Sequence, residues 1–176
     1  DEGRAYLINA TDGSARSTLT SENGTNLGEF GRAVGVVDDL TGDGIPDVVV
    51  GAPREDFSSL IGSADDAGVA YVFNGDTGDL VFELQTGGGD LESGRRFGTA
   101  VAGIGDISGD GVADIIVGAP EQAVGAAGQA GKCYLFSGAD GTVIDVITGA
   151  GENGGRFGRS VAAVGDLVGD ATPDFV

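Results

Sequence analysis

FGTAVAGIGDISGDGVADIIVGAP, Phe97 to Pro120, places Asp106, Ser108, Asp110 and Asp114 at offsets 1, 3, 5 and 9 between two apolar runs. Nearly the same segment begins at Phe30, FGRAVGVVDDLTGDGIPDVVVGAP, and again at Phe157, FGRSVAAVGDLVGDATPDFV, so the copies start 67 and then 60 residues apart. A second set alternates with them: GRAYLINATDGSARSTLT from Gly3, GVAYVFNGDTGDLVFELQT from Gly68 and GKCYLFSGADGTVIDVITG from Gly131. A period of this length marks a repeat architecture, and each repeat here has two halves.

Within the unit that begins at Phe97, four short runs rich in Val, Ile, Tyr and Phe read as strands: 98–103, 113–117, 132–136 and 143–148. NGDTGD (Asn74–Asp79) and SGADGT (Ser137–Thr142) read as hairpin turns, because Gly and Asp tolerate the positive φ that such turns require. No stretch carries a sustained helical period with caps. The expected fold class is therefore all-β, a β-propeller of four-stranded antiparallel blades with about three repeat equivalents. The 176 residues divide into a partial blade (1–29), two blades (30–96 and 97–156) and a second partial blade (157–176) of one domain or propeller fragment.

The cadence of oxygen-bearing residues suits a hard divalent cation such as Ca²⁺, which takes six to eight oxygen ligands from alternate residues of a tight loop. In the second repeat Asp106, Ser108, Asp110 and Asp114 supply side-chain oxygens and Val112 its carbonyl, with Gly111 at the sharp turn. The first repeat offers Asp39, Thr41, Asp43, the Ile45 carbonyl and Asp47, with Gly44 at the turn. Three carboxylates so close together repel one another unless something positive stands among them. The third copy keeps Asp166, Asp170 and Asp174, with the Thr172 carbonyl, but Val168 replaces the hydroxyl and Ala171 the turn glycine, so a weaker or empty site is expected there. An EF-hand shares the first half of this cadence, yet at offset 12 it needs a bidentate Glu where this chain has Val50 and Val117. A β-roll of nonapeptides fails on period.

Composition narrows the function. Nine Lys and Arg against 28 Asp and Glu give a formal charge of −19, which repels nucleic acid and anionic membrane surfaces and favours a cation partner. No apolar run approaches the roughly 20 residues of a membrane helix, so no membrane insertion is expected, and the start DEGRAYLIN is not a signal peptide. The 35 glycines follow no collagen period and mark turns instead. The single Cys133 reads as a small buried thiol. Histidine is absent, Cys133 lacks a partner base and no phosphate loop or serine elbow occurs, so no catalytic residues are assigned and no enzyme is expected.

The Phe30–Pro53 and Phe97–Pro120 segments resemble FG-GAP repeats, the units of the β-propeller of integrin alpha subunits and related bacterial surface proteins. With the intervening strand pairs the resemblance covers almost all of the chain, and the low lysine content and high acidity are more like a bacterial or archaeal member. The resemblance implies blades that carry Ca²⁺ between their first two strands, an extracellular or cell-surface location, and a role in adhesion or in recognition of a protein or glycan. The other reading is a passive Ca²⁺-stabilised structural domain of a larger exported enzyme or surface protein. Integrin propellers have seven blades, so three repeats imply either a fragment of a longer polypeptide or a homo-oligomer completing the ring. Pairing the third blade with 3–20 would be the intramolecular route to closure.

The remaining signals read as structural. Phe30, Phe97 and Phe157 with their glycines pack between blades, Pro53 and Pro120 end strands, and Arg32, Arg95, Arg96, Arg156 and Arg159 form surface ion pairs. The segments 54–66 and 121–130 are the candidate recognition loops. Asn9-Ala10-Thr11 and Asn23-Gly24-Thr25 match the glycosylation sequon.

Overall fold

The computed structural model describes residues 3–22, 28–59, 62–86 and 93–176, with the side chains of 57–59, 62 and 63 left aside. Leu60 and Ile61 of the first candidate recognition loop, and the sequon at 23–25, lie outside the described residues. The described residues form strands and turns only, and no helix is long and apolar enough to cross a membrane.

The strands are β1 (Ala5–Ile8), β2 (Ala15–Leu19), β3 (Ala33–Val37), β4 (Asp47–Ala52), β5 (Phe57–Ser59), β6 (Gly62–Ala64), β7 (Val69–Phe73), β8 (Leu80–Leu84), β9 (Ala100–Gly105), β10 (Asp114–Ala119), β11 (Lys132–Phe136), β12 (Val143–Thr148), β13 (Ala163–Gly165) and β14 (Asp174–Phe175). Two complete blades result, ordered β3-β4-β7-β8 and β9-β10-β11-β12, all neighbours antiparallel. β5 and β6 form a small hairpin inside the first unit, while β1-β2 and β13-β14 remain separate two-stranded sheets. The β13-β14 sheet does not pair with β1-β2, so the sheet is not closed into a ring by the intramolecular route.

Of the inner strands, β9 begins and ends two residues later than the sequence suggests, and β10 begins one and ends two residues later. Phe97-Gly98-Thr99 is a turn, in which Thr99 N–H bonds the Arg96 carbonyl at 3.3 Å and Gly98 N–H bonds Gly118 of the paired strand's end at 3.0 Å, so the ladder starts at Ala100. The outer hairpins form as expected: Asn74 N–H bonds the Asp79 carbonyl, and Ser137 N–H bonds Thr142, each at 2.9 Å.

The central strands β4, β7 and β10 are buried along their whole length, so they read as continuous apolar runs rather than alternating ones. The main core fills the space between the two complete blades: Val49, Ala70, Val72 and Leu84 of the first meet Phe97, Ile115, Val117, Tyr134 and Phe136 of the second. Phe97 lies edge-on to Tyr134 and Phe136, with centroids at 5.6 and 5.8 Å, and Phe30 packs on Tyr71 and Phe73 at 5.7 and 6.0 Å. Phe157, on the last blade, is 41% exposed.

Blade spacing explains why the motif is bounded by glycine at both ends. A Cβ on Gly51 would lie 1.9 Å from the carbonyl oxygen of Gly98, and one on Gly118 equally close to that of Gly158. The Gly of each Gly-Ala-Pro thus lies against the Phe-Gly of the next blade, backbone to backbone, and any side chain there forces the blades apart.

Candidate functional site

Each candidate metal loop joins the first two strands of a blade. In the first, Asp39 Oδ1 accepts from the N–H groups of Thr41, Gly42 and Asp43 at 3.1, 2.7 and 3.2 Å, and Oδ2 accepts from Gly44 at 2.7 Å. Gly44 can complete that turn because its φ of 85° is open to glycine at little cost. Asp43 Oδ1 accepts from Ile45 N–H at 2.8 Å. The loop has thus wrapped its backbone donors around the first carboxylate, and the Gly44 N–H above all holds the Asp39 carboxyl below the usual carboxylate range.

Asp47 does different work. It is fully buried at the start of β4; Oδ2 accepts from Leu40 N–H at 2.9 Å and Oδ1 from Gly75 N–H at 3.0 Å. One carboxylate therefore ties the inner loop to the outer hairpin of the same blade. Asn74, on that hairpin, reaches the loop as well: its Nδ2 donates to Thr41 Oγ1 at 2.9 Å and to Asp43 Oδ2 at 2.6 Å, while its Oδ1 accepts from Asp76 and Thr77 N–H. Sequence reasoning missed Asn74 as a partner of the loop. The Asn-Gly before the hairpin was visible, but only the sheet order shows that this turn lies beside the loop.

The second loop repeats the design. Asp106 accepts from Gly109 and Asp110 through Oδ1 and from Gly111 through Oδ2, at 2.6, 3.2 and 2.8 Å, and the Gly111 N–H chiefly lowers its pKa. Asp110 Oδ1 accepts from Val112 N–H at 2.8 Å. Asp114, fully buried, accepts from Ile107, Ser108 and Gly138. Ser137 takes the place of Asn74 and donates only a long 3.5 Å bond to Asp110.

The third loop keeps the same backbone path. Asp166 accepts from Gly169, Asp170 and Ala171, and Ala171 N–H is the largest cause of its lowered pKa. Asp170 accepts from Thr172 N–H, and Asp174 from Leu167 and Val168. Ala171 holds φ at 69°, as its alignment with Gly44 and Gly111 requires, and so bears the strain expected of a side chain there.

The donor set fits a hard cation in kind: carboxylate and hydroxyl oxygens on a loop whose turn is already made. A carboxylate oxygen that accepts one N–H keeps a lone pair for an ion. The convergence of three acidic side chains on one point is not formed, and among the described residues no group of three His, Cys, Asp or Glu is placed to hold a metal. Backbone N–H groups and the Asn74 amide offset the carboxylate charge. The EF-hand alternative fails structurally too, since Val50 and Val117 lie within β4 and β10.

Two other readings change. Arg95 is fully buried rather than a surface ion-pair residue: its Nε donates to the Ala67 carbonyl at 3.1 Å, a terminal nitrogen donates to Thr86 Oγ1, and its guanidinium lies 5.7 Å from the Phe97 ring centroid. The candidate recognition loop at 54–66 also contributes to the interior. Glu55 is buried and accepts from Tyr71 at 2.7 Å and Ser21 at 2.5 Å, and Gln122 accepts from Tyr134 in the next blade at 2.8 Å.

Repeated antiparallel blades joined glycine to glycine, with an Asp-rich loop between the first two strands, define a propeller-type repeat protein. The profile of the FG-GAP repeat matches residues 30–73 and 97–136, the two complete blades up to their third strands, and the chain is an FG-GAP repeat protein. It is 41% identical over 119 residues to integrin alpha-PS5 of Drosophila melanogaster, covering 67% of this chain and 11% of that protein. Against integrin alpha-5 of Xenopus laevis the identity is 30% over 182 residues, covering 99% of this chain and 17% of the relative. Integrin alpha-2 of Bos taurus is 34% identical over 131 residues, 70% of this chain and 10% of its own length. The chain thus spans between about a tenth and a sixth of these relatives.

Proposed function

We propose that this chain is a Ca²⁺-binding integrin-like propeller module that acts in adhesion or in extracellular recognition of a protein or glycan, and that it has no catalytic activity. The observation that carries the reading is the pair of loops at Asp39–Asp47 and Asp106–Asp114, which share their main backbone hydrogen bonds to the first and last Asp and lie at the same end of two successive blades. Asp39, Thr41, Asp43, the Ile45 carbonyl and Asp47 would hold one ion. Asp106, Ser108, Asp110, the Val112 carbonyl and Asp114 would hold a second, with a weaker third at Asp166, Asp170, the Thr172 carbonyl and Asp174. The ion supplies a positive centre that draws these oxygens together; the chain's own part is to keep the turn wound and the two hairpins of a blade tied through Asp47 or Asp114. Resemblance to integrin alpha chains supports an extracellular or cell-surface setting.

The ends of the array expose apolar side chains: Val34 (58%) and Val36 (65%) at one, Leu167 (72%) and Val168 (73%) at the other. They favour completion of the ring by further blades, from the same polypeptide or from a second copy. Calcium titration calorimetry tests the metal reading: two strong equivalents are expected, Asp43→Ala and Asp110→Ala each removing one. Binding to an array of extracellular proteins and glycans in Ca²⁺, lost in EDTA, tests recognition. A chain that takes up Ca²⁺ and retains nothing from the array would be the passive structural domain instead.

A further inference from the structure

The end of the blades away from the metal loops carries a second feature, of opposite charge. A cleft of about 150 Å³ is lined by Glu29, Arg32, Pro53, Arg96, Thr99, Pro120, Glu121, Arg156 and Arg159. Four of the nine basic residues in a chain of net charge −19 meet there.

The cleft is built by the repeat. Glu29, Arg96 and Arg156 each precede the Phe of a Phe-Gly step, and each is held at positive φ (56, 55 and 52°). Arg32, Thr99 and Arg159 stand three residues further on, and their N–H groups bond back to the carbonyls of Glu29, Arg96 and Arg156 at 3.0, 3.3 and 3.2 Å. Pro53 and Pro120 close the far ends of β4 and β10. Three successive blades thus present the same turn to one cleft. Since the metal loops lie at the other end of β3-β4 and β9-β10, five- and six-residue strands at about 3.4 Å per residue separate the two regions by roughly 17–20 Å.

Charge within the cleft is only partly balanced. Arg96 Nε pairs with Glu121 at 3.2 Å, and Glu29 is engaged by Arg54 Nε at the same distance. Arg32 and Arg159 have no ion pair among the described residues, and both are exposed. Guanidinium forks converging from different elements suit an oxyanion, which can accept two parallel N–H bonds from each, whereas the Ca²⁺ loops would reject it.

We propose that this cleft binds a single oxyanionic group, a carboxylate, sulfate or phosphate, free or carried by a larger ligand, with Arg32 and Arg159 as its principal contacts. The proposal rests on the recognition reading in naming what that face takes up, but uses none of the metal-loop residues.

The test is an NMR titration of the whole chain with sodium sulfate at fixed ionic strength and saturating Ca²⁺, chloride as reference, followed by the same titration with a short peptide ending in glutamate. Saturable shifts confined to 29–32, 96–99 and 156–159 are expected, weakened at least about tenfold in Arg159→Gln and in Arg32→Gln, and unchanged in Arg16→Gln, whose partner is Asp76 at 2.5 Å. Competition of the peptide with sulfate would assign the group to a larger ligand, and exclusion of the peptide would assign it to a free anion. Linear shifts with sulfate, or saturation that Arg32→Gln and Arg159→Gln leave intact in folded protein, would overturn the proposal. Either of those outcomes leaves the calcium reading standing, because calorimetry reads that separately.

Discussion

Ala171 is the residue where sequence and backbone disagree most plainly. Its loop needs the positive φ that Gly44 and Gly111 supply, and alanine adopts it at 69°. Ala171→Gly should therefore stabilise the third loop by up to about 1 kcal/mol, readable as a raised denaturant midpoint, with Gly111→Ala shifting the midpoint the other way. Asp47 presents the converse case, a charged side chain wholly buried because both oxygens accept backbone N–H groups. Asp47→Asn turns an amide NH₂ towards one of those donors and should cost about 1.5–3 kcal/mol even without Ca²⁺, whereas Asp43→Ala, which loses the bonds from Ile45 N–H and Asn74, should cost about 0.5–1.5 kcal/mol without Ca²⁺ and more once Ca²⁺ is added. Burial pushes the Cys133 thiol up to about 11, so thiol reagents at pH 8 should label it only after unfolding. The ligand-type residues were legible because their spacing is local. Asn74 and Arg95 were not, since a hairpin beside a loop, or a guanidinium stacked under a phenyl ring, depends on chain that is distant in sequence.

At the scale of the element, the loops and hairpin turns make a common prediction about pH. Asp39, Asp106 and Asp166 are lowered from 3.8 by backbone N–H groups, and Asp12 and Asp140 chiefly by the hydroxyls of Ser14 and Thr142. A carboxyl whose folded pKa lies below its unfolded value stabilises the fold above the unfolded value and loses that contribution as pH falls through the folded one. Metal-free protein should then melt at a nearly constant temperature from pH 7 to about 5 and progressively lower below about 4, a trend that calorimetric scans across that range would read. The blades themselves were recognisable from their repeating words, and their outer strands fell where the turn residues put them. β9 moved by two residues because Phe-Gly-Thr is used for the turn that brings blades together; the Phe-Gly step was legible as an inter-blade contact, but not that it withdraws these residues from the strand.

For the molecule as a whole, packing between blades depends on backbone contact as much as on the apolar core. Gly51→Ala drives a methyl into the Gly98 carbonyl, 1.9 Å away, and should destabilise the array by about 1–3 kcal/mol or more, with the loss visible in equilibrium unfolding. The exposed valines of β3, with Leu167 and Val168, leave apolar side chains exposed next to and within the two partial blades that the repeats mark at 1–29 and 157–176. The central claim is that Ca²⁺ binds the loops at Asp39–Asp47 and Asp106–Asp114 and adds its binding energy to the stability of the blades. The most direct measurement is a thermal melt of the chain in EDTA and in millimolar Ca²⁺, with mass followed by light scattering on the same sample. The account predicts a large Ca²⁺-dependent rise in melting temperature, reduced in Asp43→Ala and Asp110→Ala; a melting temperature indifferent to both Ca²⁺ and EDTA would contradict it.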